Sequence, residues 1–370
     1  MKVAIIGTVG VPANYGGFET LVEQLVRHNK SEDLEYAVYC SGKSYKEHRW
    51  VYHGAKTEYI GLHANGFQSI PYDIISLIRA SKKSDVILIL GVSGCIFLPI
   101  FRLFSKKKLI INIDGLEHKR DKWNRLIRRF LRFSERMAIK HGDIIITDNQ
   151  GITDYVRDEY GVDSKLIAYG GDHVIYEMDN KASKSILDKY DLIPNEYSLA
   201  LCRIEPENNV HTILKAFRDL PSKKLVFIGN WDRSEYGQTL YNEFSKYQNI
   251  NLISAIYDLT TLNAIRSNCL NYIHGHSAGG TNPSLVEAMF FSKPIIAFDC
   301  IYNRETTENK ALYFSDSPNL MELLEDSSPC ETISQNMRDI AIRRYKWNHI
   351  VQQYEHLFYS DDNTHRKVSS

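Results

Sequence analysis

Short, unbroken runs of Val, Ile and Leu alternate with amphipathic stretches along the whole chain. The run at 86–90 reads VILIL, for example, and the stretch before it at 72–81 has the apolar spacing of a helix. Continuous apolar strands that alternate with helices are typical of a parallel sheet covered on both faces. Strands are predicted in two series, at 3–6, 36–39, 58–62, 86–90, 109–113, 143–147 and 165–168, then at 198–202, 225–228, 250–254, 270–274, 294–298 and 311–314.

The two series predict two doubly wound α/β domains, which also suits a length of 370 residues. The pattern weakens into polar, charge-mixed sequence at 172–196, where we place the linker. We expect one domain at 1–175 and a second at 176–346. A final helix at 347–360 can cross back to the first domain. Ligands of such sheets bind beyond the carboxyl ends of the strands, so a cleft between the domains is the expected place for chemistry.

Composition excludes several classes of protein. Lys and Arg number 45 and Asp and Glu number 45, and 43% of residues are hydrophobic, which argues against disorder and against a dedicated nucleic-acid role. The six cysteines form no CxxC pair, and the first apolar run is too short for a signal peptide, so we expect a cytoplasmic protein. The uncharged stretch 86–101 is sixteen residues long and contains Gly and Pro, which favours a strand, a turn and a helix over a membrane span.

The loop after the first strand ends in Gly16 and Gly17 at the start of a predicted helix. It lacks GxGxxG spacing, and no acidic residue closes the second strand, so a nicotinamide dinucleotide site is not expected. Free N–H groups and the helix dipole favour an anion such as a diphosphate here. The alternative is that the two glycines only form a tight turn.

The segment 274–299 leaves a strand, opens a helix and returns to a strand. Asn282 and Pro283 have the chemistry of a helix start, with Ser284 next. Glu287, about one turn further, could accept hydrogen bonds from a ribose, although a lone Glu on a helix is usually solvated. His274 and His276 alternate at the strand end, where either could contact a phosphate or lie in the core.

Carboxylates also follow predicted strands of the first domain. Asp114 and Glu117 come after 109–113, and Asp148 comes after 143–147. Each could take or orient the proton of a reacting hydroxyl, or bind sugar hydroxyls. An N-cap role for Asp148 is the alternative. Metal-ligand spacing is missing from the sequence, so we expect neither a metal nor a cofactor.

The segment 119–141 carries nine Lys or Arg against two acids, interleaved with apolar and aromatic residues. A basic aromatic helix suits an anionic membrane surface. The alternative is a helix that covers its own sheet and has a solvated outer face.

Three segments resemble glycosyltransferase family 4, and more narrowly its bacterial rhamnosyltransferase branch of capsule and cell-wall polysaccharide synthesis. They read PANYGGFETLVE (12–23), NIDGLEHKRDKW (112–123) and GHSAGGTNPSLVEAM (275–289). The resemblance implies a GT-B architecture, with two Rossmann-like domains facing a cleft, and retaining, metal-independent transfer. It also implies dTDP-L-rhamnose as donor and a lipid-linked saccharide as acceptor.

Carried over residue by residue, the resemblance implies a nucleotide-sugar site made of Gly16, Gly17, Arg203, Asn208, Gly229, His276, Gly279, Gly280, Thr281, Asn282, Ser284 and Glu287. Three positions depart from the family pattern. Gly279 stands where the first of two glutamates is usual, Asn208 replaces a lysine, and Asp114 replaces a histidine. Arg203 would then carry more of the diphosphate neutralisation.

The resemblance therefore implies a rhamnosyltransferase. The basic segment adds the expectation that it is peripheral at the inner face of the plasma membrane, and we expect no nucleic-acid partner. Two rivals stay open at this point. One is a sugar-nucleotide 2-epimerase of the same architecture, and the other is a non-catalytic carbohydrate-binding relative.

Overall fold

The computed structural model describes residues 1–13, 16–119, 123–326 and 330–361, and these form two compact units. Unit 1 is Met1–Tyr169 together with the chain from Trp347 onward, and unit 2 is Gly170–Lys346. The boundary between Tyr169 and Gly170 lies earlier than the predicted one at 175.

Unit 1 contains an eight-stranded sheet in the order β3-β4-β2-β1-β5-β6-β7-β8. Its strands are β1 (Lys2–Ile6), β2 (Glu35–Ser41), β3 (Val51–Tyr52), β4 (Ala55–Ile60), β5 (Val86–Leu90), β6 (Lys108–Asn112), β7 (Ile144–Thr147) and β8 (Lys165–Leu166). The helices between them are α1 (Gly17–His28), α2 (Ser69–Lys83), α3 (Leu98–Phe104), α4 (Arg125–His141) and α5 (Gln150–Tyr160). All neighbouring strands are parallel except β3 and β4.

The antiparallel pair β3–β4 is a hairpin that the sequence prediction missed. Its two turn residues, His53 and Gly54, both have positive φ, at 45° and 82°. Such a two-residue turn matches the twist of the strands that it joins. The predicted strand at 58–62 therefore begins earlier, at Ala55, where the turn sets its register.

Unit 2 contains a six-stranded, fully parallel sheet in the order β11-β10-β9-β12-β13-β14. Its strands are β9 (Tyr197–Leu201), β10 (Lys224–Gly229), β11 (Ile250–Ser254), β12 (Asn271–His274), β13 (Ile295–Phe298) and β14 (Leu312–Phe314). Its helices are α6 (Asn180–Lys189), α7 (Val210–Asp219), α8 (Glu235–Phe244), α9 (Leu259–Ser267), α10 (Pro283–Met289), α11 (Ile301–Thr306), α12 (Ser317–Glu325) and α13 (Cys330–Arg344).

The polar stretch that the sequence suggested as a linker belongs to unit 2. Residues 172–196 contain helix α6, which packs against α9. Only Leu187 of α6 is buried, and the helix is polar apart from Ala182, Ile186 and Leu187, so few apolar residues mark it in the sequence.

The last described helix, α14 (Trp347–Tyr359), returns to unit 1. Its apolar face, which includes Trp347 and Phe358, lies in the core of that unit. The Lys108 Nζ donates to the carbonyl oxygens of Leu357 at 2.6 Å and Phe358 at 3.3 Å. These bonds satisfy carbonyl groups that a helix end otherwise leaves free, so α14 is firmly part of unit 1.

Apart from the β3–β4 hairpin, each sheet reverses its strand order once. The reversal lies between β1 and β5 in unit 1 and between β9 and β12 in unit 2. The loops that leave these strands are the expected ligand-binding loops of a doubly wound sheet. Among the described residues, no helix is both long and apolar enough to cross a membrane.

Candidate functional site

Two loops of unit 2 meet where the strand order reverses. The turn 206–208 follows β9, and the loop 275–282 follows β12. Ser277 donates its N–H and its hydroxyl to the Glu207 carbonyl oxygen at 2.9 and 2.8 Å, and the Asn209 amide donates to the Gly275 carbonyl oxygen at 2.9 Å. A methyl group on Gly275 would overlap a carbonyl oxygen of the turn, so only glycine allows this approach.

Asn208 joins Arg203 to His276. The Asn208 Nδ2 donates to the Arg203 carbonyl oxygen at 2.7 Å, and its Oδ1 lies 2.6 Å from the His276 Nδ1. Because Oδ1 can only accept, the His276 Nδ1 carries the hydrogen. Three predicted site residues are thus brought together. Both ends of the Asn208 amide are already engaged within the protein, so this side chain fits a role in fixing its two neighbours.

The start of α10 is built as the sequence predicts. Asn282 is the N-cap, and its Oδ1 accepts from the N–H and the hydroxyl of Ser284 at 3.0 and 2.8 Å, with Pro283 in the first turn. Before this cap, Gly279 has a φ of 103°, and Thr281 is buried. Gly279, Gly280 and Thr281 therefore form the tight turn that leads into the helix.

Glu287 is paired inside unit 2 and is not a solvated helix residue. Its Oε2 lies 2.5 Å from the Arg266 Nη2, and its Oε1 lies 3.6 Å from the His173 Nε2. The Glu287 side chain keeps 15% of its surface exposed, whereas that of Arg266 keeps 3%. Sequence reasoning missed Arg266 and His173 because their partner is distant along the chain.

Gly229, at the end of β10, lies beside the same edge. A methyl group there would overlap the Ile204 side chain and lie 2.9 Å from the Cys202 carbonyl oxygen. The position therefore requires glycine for packing. A cavity of about 380 Å³ opens next to it, lined by residues 229–233 together with Ser254 and Ala255.

In unit 1, the predicted glycine pair lies at the start of α1. The Glu19 carboxylate, on the first turn of α1, accepts from the Thr8 hydroxyl and the Val9 N–H, both at 2.9 Å. Gly16 has a φ of 137°, and a methyl group there would overlap Glu19 Oε2. Gly16 thus has a structural reason to be glycine, and a phosphate at this turn would face a carboxylate.

Asp114 and Asp148 follow the neighbouring strands β6 and β7 at the carboxyl edge of the unit 1 sheet. Burial raises the pKa of Tyr169 well above its ordinary value, and the negative charges of Asp114 and Asp148 raise it further. Both carboxylates therefore act electrostatically on this phenol, which the sequence analysis did not single out. Tyr169 comes directly after a predicted strand, and that position is too common in a sequence to mark a functional residue.

The backbone around these two aspartates is specific. Asp114 follows β6 with a φ of 62°, and its N–H donates to Asn112 Oδ1 at 3.0 Å. Positive φ is uncommon outside glycine and often marks a functional position. Asp148 is 2% exposed, and the N-cap of α5 is Asn149, whose Oδ1 accepts from the Gly151 N–H at 3.0 Å. The alternative role of Asp148 as that N-cap is therefore wrong.

Glu117, the third predicted catalytic residue, accepts a hydrogen bond from a tryptophan. Its Oε2 accepts from the Trp123 Nε1 at 3.0 Å. Next to it, the His118 Nδ1 lies 3.0 Å from a carboxylate oxygen of Glu135, a buried residue of α4. These contacts fasten the loop after β6 to α4. A structural role therefore fits Glu117 better than it fits Asp114 or Asp148.

Two further results concern the sequence predictions. Arg120, Asp121 and Lys122, which belong to the predicted basic segment, lie outside the described residues. Within the described ranges, no group of three or more His, Cys, Asp or Glu side chains is arranged to hold a metal ion.

Comparison with known families assigns a different model to each half of the chain. Residues 1–172 match a domain of unknown function, DUF1972, and residues 192–339 match the family described as Glycosyl transferases group 1. No curated protein sequence matches the chain.

Solved structures are similar over nearly the whole chain. Sucrose-phosphate synthase from Thermosynechococcus elongatus has a TM-score of 0.79 at 16% identity, over 96% of this chain and 98% of that one. The Anabaena protein Alr3699/HepE in complex with UDP has a TM-score of 0.74 at 15% identity, over 97% and 99%. A glycosyltransferase from Rickettsia africae has a TM-score of 0.73 at 12% identity, over 96% and 97%.

These similarities and the two parallel sheets confirm the predicted GT-B fold with two α/β domains. The match to group 1 glycosyl transferases lies on unit 2, where the turn 206–208 meets the loop 275–282. Together, the family match and the fold support a GT-B glycosyltransferase.

Proposed function

We propose that the protein is a retaining, metal-independent glycosyltransferase that moves L-rhamnose from dTDP-L-rhamnose to a lipid-linked saccharide in polysaccharide synthesis. The observation that carries the proposal is the assembly at the unit 2 edge, where Asn208 joins Arg203 to His276 and Glu287 is held in an ion pair. The structurally similar Anabaena protein was solved with UDP and with UDP-glucose, which supports a nucleotide-sugar donor.

Donor binding is assigned to unit 2. Arg203 supplies a guanidinium, which suits the two charges of a diphosphate, and Glu287 supplies an acceptor for ribose hydroxyls. Gly279 replaces the first glutamate of the family pattern. The backbone of the turn 279–281 is therefore assigned to binding the donor sugar. The sugar and the base themselves rest on the resemblance of the three sequence segments.

The acceptor hydroxyl is assigned to Asp114 and Asp148 of unit 1. In the transfer, the bond from the anomeric carbon to the diphosphate breaks and a bond from that carbon to the acceptor oxygen forms. The acceptor proton passes to the departing phosphate oxygen, while the carboxylates orient the hydroxyl. Arg203 stabilises the charge of the leaving diphosphate.

The donor assignment is tested by calorimetric titration with dTDP, dTDP-L-rhamnose, UDP and UDP-glucose. Glu287→Gln and Arg203→Gln should each weaken nucleotide binding at least tenfold, and both should unfold near the wild-type temperature. Arg218→Gln, which removes an exposed ion pair with Asp219 elsewhere in unit 2, is the matched control and should bind as wild type. Equal affinity in both site variants and the control would refute the assignment.

The chemistry is tested by turnover with and without EDTA and by the anomeric configuration of the product. Activity that survives EDTA and a retained configuration are expected. Loss of activity that Mg²⁺ restores, or an inverted product, contradicts the mechanism. A new sugar nucleotide formed without any acceptor would favour the epimerase, and donor binding without turnover would favour the non-catalytic relative.

We further propose that unit 1 docks on an anionic membrane that carries the acceptor. The proposed surface, named the α3–α4 face, consists of exposed apolar side chains on two helices that pack together: Ile100, Leu103, Phe104, Leu126 and Phe133. Leu103 is 85% exposed and Leu126 is 80% exposed. Leu126 and Phe133 are not among the residues that α4 buries against its own unit, so they are available to contact another surface. The buried residues are Ser134, Glu135, Ala138 and Ile139.

Cations lie on α4 and directly after α3, the two helices of the α3–α4 face. Within the described residues, no ion-pair partner is found for Lys106, Lys107, Arg129, Arg136 or Lys140. Lys106 and Lys107 line a cavity of about 530 Å³ together with Lys82 and Phe104. Apolar side chains for insertion and unpaired cations for anionic headgroups are the two signals that membrane docking needs.

Docking is tested by co-sedimentation with vesicles of phosphatidylglycerol or of phosphatidylcholine. Binding to the anionic vesicles should fall as salt rises. The double variant Leu103→Ser/Arg129→Gln should weaken it severalfold. Lys181→Gln/Lys184→Gln, which removes two cations of unit 2, should not. Equal binding to both lipids would contradict the proposal.

A further inference from the structure

Arg266 is a buried guanidinium on α9 that has incomplete pairing. Its side chain is 3% exposed and forms one ion pair, from Nη2 to the Glu287 Oε2 at 2.5 Å. In the described part of the chain, its Nε and Nη1 are buried and have no hydrogen-bond partner. A cation is thus held in the interior of unit 2 with two of its three nitrogens unpaired.

This arrangement contributes little to the stability of the fold. Removing a charge from water is costly, and each buried N–H without a partner adds to that cost. Buried ion pairs can often be replaced by apolar side chains of similar volume with no loss of stability. The role of the buried Arg266 cation therefore lies in its effect on its partner, Glu287.

The effect on Glu287 is to fix the orientation of its carboxylate. Arg266 contacts one carboxylate oxygen, and the His173 Nε2 lies 3.6 Å from the other. The guanidinium lies over the Phe291 ring, 5.8 Å from its centre, so its plane is also restrained. Two elements distant from α10 in sequence thus set one rotamer of Glu287, while 15% of that side chain remains exposed for a ligand.

Arg266 itself is 2% exposed and has its other nitrogens buried, so it acts through Glu287. We propose that Arg266 is the positioning residue of the donor site, which holds the Glu287 carboxylate aimed at the ribose hydroxyls, with His173 near its other oxygen. This inference rests on the proposed function of Glu287. It gives the buried pair of Arg266 and Glu287 a role in nucleotide affinity, in addition to any role in the fold.

The test is a double-mutant cycle on dTDP affinity, measured by titration calorimetry. Arg266→Met and Glu287→Gln should each weaken dTDP binding about tenfold, and the double variant should bind no more weakly than Glu287→Gln alone, because both changes remove one interaction. Arg266→Lys keeps the charge and should recover part of the affinity. The double variant leaves no unpaired charge, so it reports on binding even if Arg266→Met folds poorly.

Arg344→Met is the matched control, since Arg344 forms a 2.5 Å ion pair with Glu305 in the same unit. It should lower the unfolding temperature and leave dTDP affinity unchanged. If Glu287→Gln weakens dTDP binding and Arg266→Met does not, the positioning role is refuted and the donor site stands. Additive losses in the double variant also refute it. If Glu287→Gln itself has no effect, the proposed donor site fails first.

Discussion

The two units have the same architecture but opposite chemistry at their ligand-binding edges. In unit 1, carboxylates brace the loop after β1, since Glu19 accepts from Thr8 and Val9, and Glu23 accepts from the Ala13 N–H at 2.5 Å. In unit 2, the loop after β12 is braced by neutral amides and hydroxyls. Carboxylates beside a bound diphosphate are electrostatically less favourable than uncharged amides and hydroxyls. This difference supports the proposed division of roles, with the anionic donor on unit 2 and the neutral acceptor hydroxyl on unit 1.

The largest expected effect separates turnover from affinity. Asp148→Asn should lower turnover about 10²-fold, the loss that a misplaced reacting group can cause, and Asp114→Asn should act in the same direction. Donor affinity should change less than twofold, because both residues lie in unit 1. Glu287→Gln should show the reverse pattern. Initial rates at saturating donor, beside calorimetric Kd values, give the two quantities.

Asp158→Asn, an exposed carboxylate on α5, is the control for these variants and should have wild-type turnover. A loss of donor affinity in Asp148→Asn as large as its loss of turnover would break the division of roles between the units.

The next effect concerns the glycines that follow β1 and β12. A methyl group on Gly7 would overlap the Leu90 carbonyl oxygen, and one on Gly275 would overlap that of Asn208. Gly275→Ala should cost about 1–3 kcal/mol of stability through overpacking. Gly7→Ala should cost more, because Gly7 also has a φ of 87°. Denaturant unfolding measures both.

Gly61 is the matched control, since it has ordinary φ and no atom within 4 Å of an added methyl group. If Gly61→Ala is as destabilising as Gly275→Ala, steric overlap is not the cause. Gly275→Ala should also weaken dTDP binding, whereas Gly7→Ala should not.

Much of the fold could be predicted from the sequence, because unbroken apolar strands report burial on both faces. The hairpin at His53–Gly54 and helix α6 were missed, since one depends on two positive φ values and the other on a single buried leucine. In the site, the Asn282 cap follows from local chemistry. The pair of Arg266 with Glu287, and the position of Tyr169 beside Asp114 and Asp148, depend on contacts between distant elements. One sequence carries no signal for such contacts.

The last expected effect is an opposite pH response of the two units. In unit 1, burial raises the pKa of Asp73 from 3.8 to about 8. Folded unit 1 therefore binds more protons than the unfolded chain between these values, and Asp73 makes it less stable as pH rises through them. In unit 2, burial lowers the pKa of His274 from 6.5 to about 3. Unit 2 is then fully stabilised above pH 6.5 and loses stability as pH falls towards 3.

Each group changes stability by at most about 1.4 kcal/mol per pH unit. Hydrogen exchange measured separately on the two units between pH 5 and 8 should therefore show unit 2 opening more readily at the acid end and unit 1 at the alkaline end. Asp73→Asn mimics the protonated acid and should flatten only the response of unit 1, and His274→Gln should flatten only that of unit 2. If both units weaken in the same direction and neither variant changes its slope, these two buried groups do not control the difference. The contrast between the units would then be confined to their binding edges.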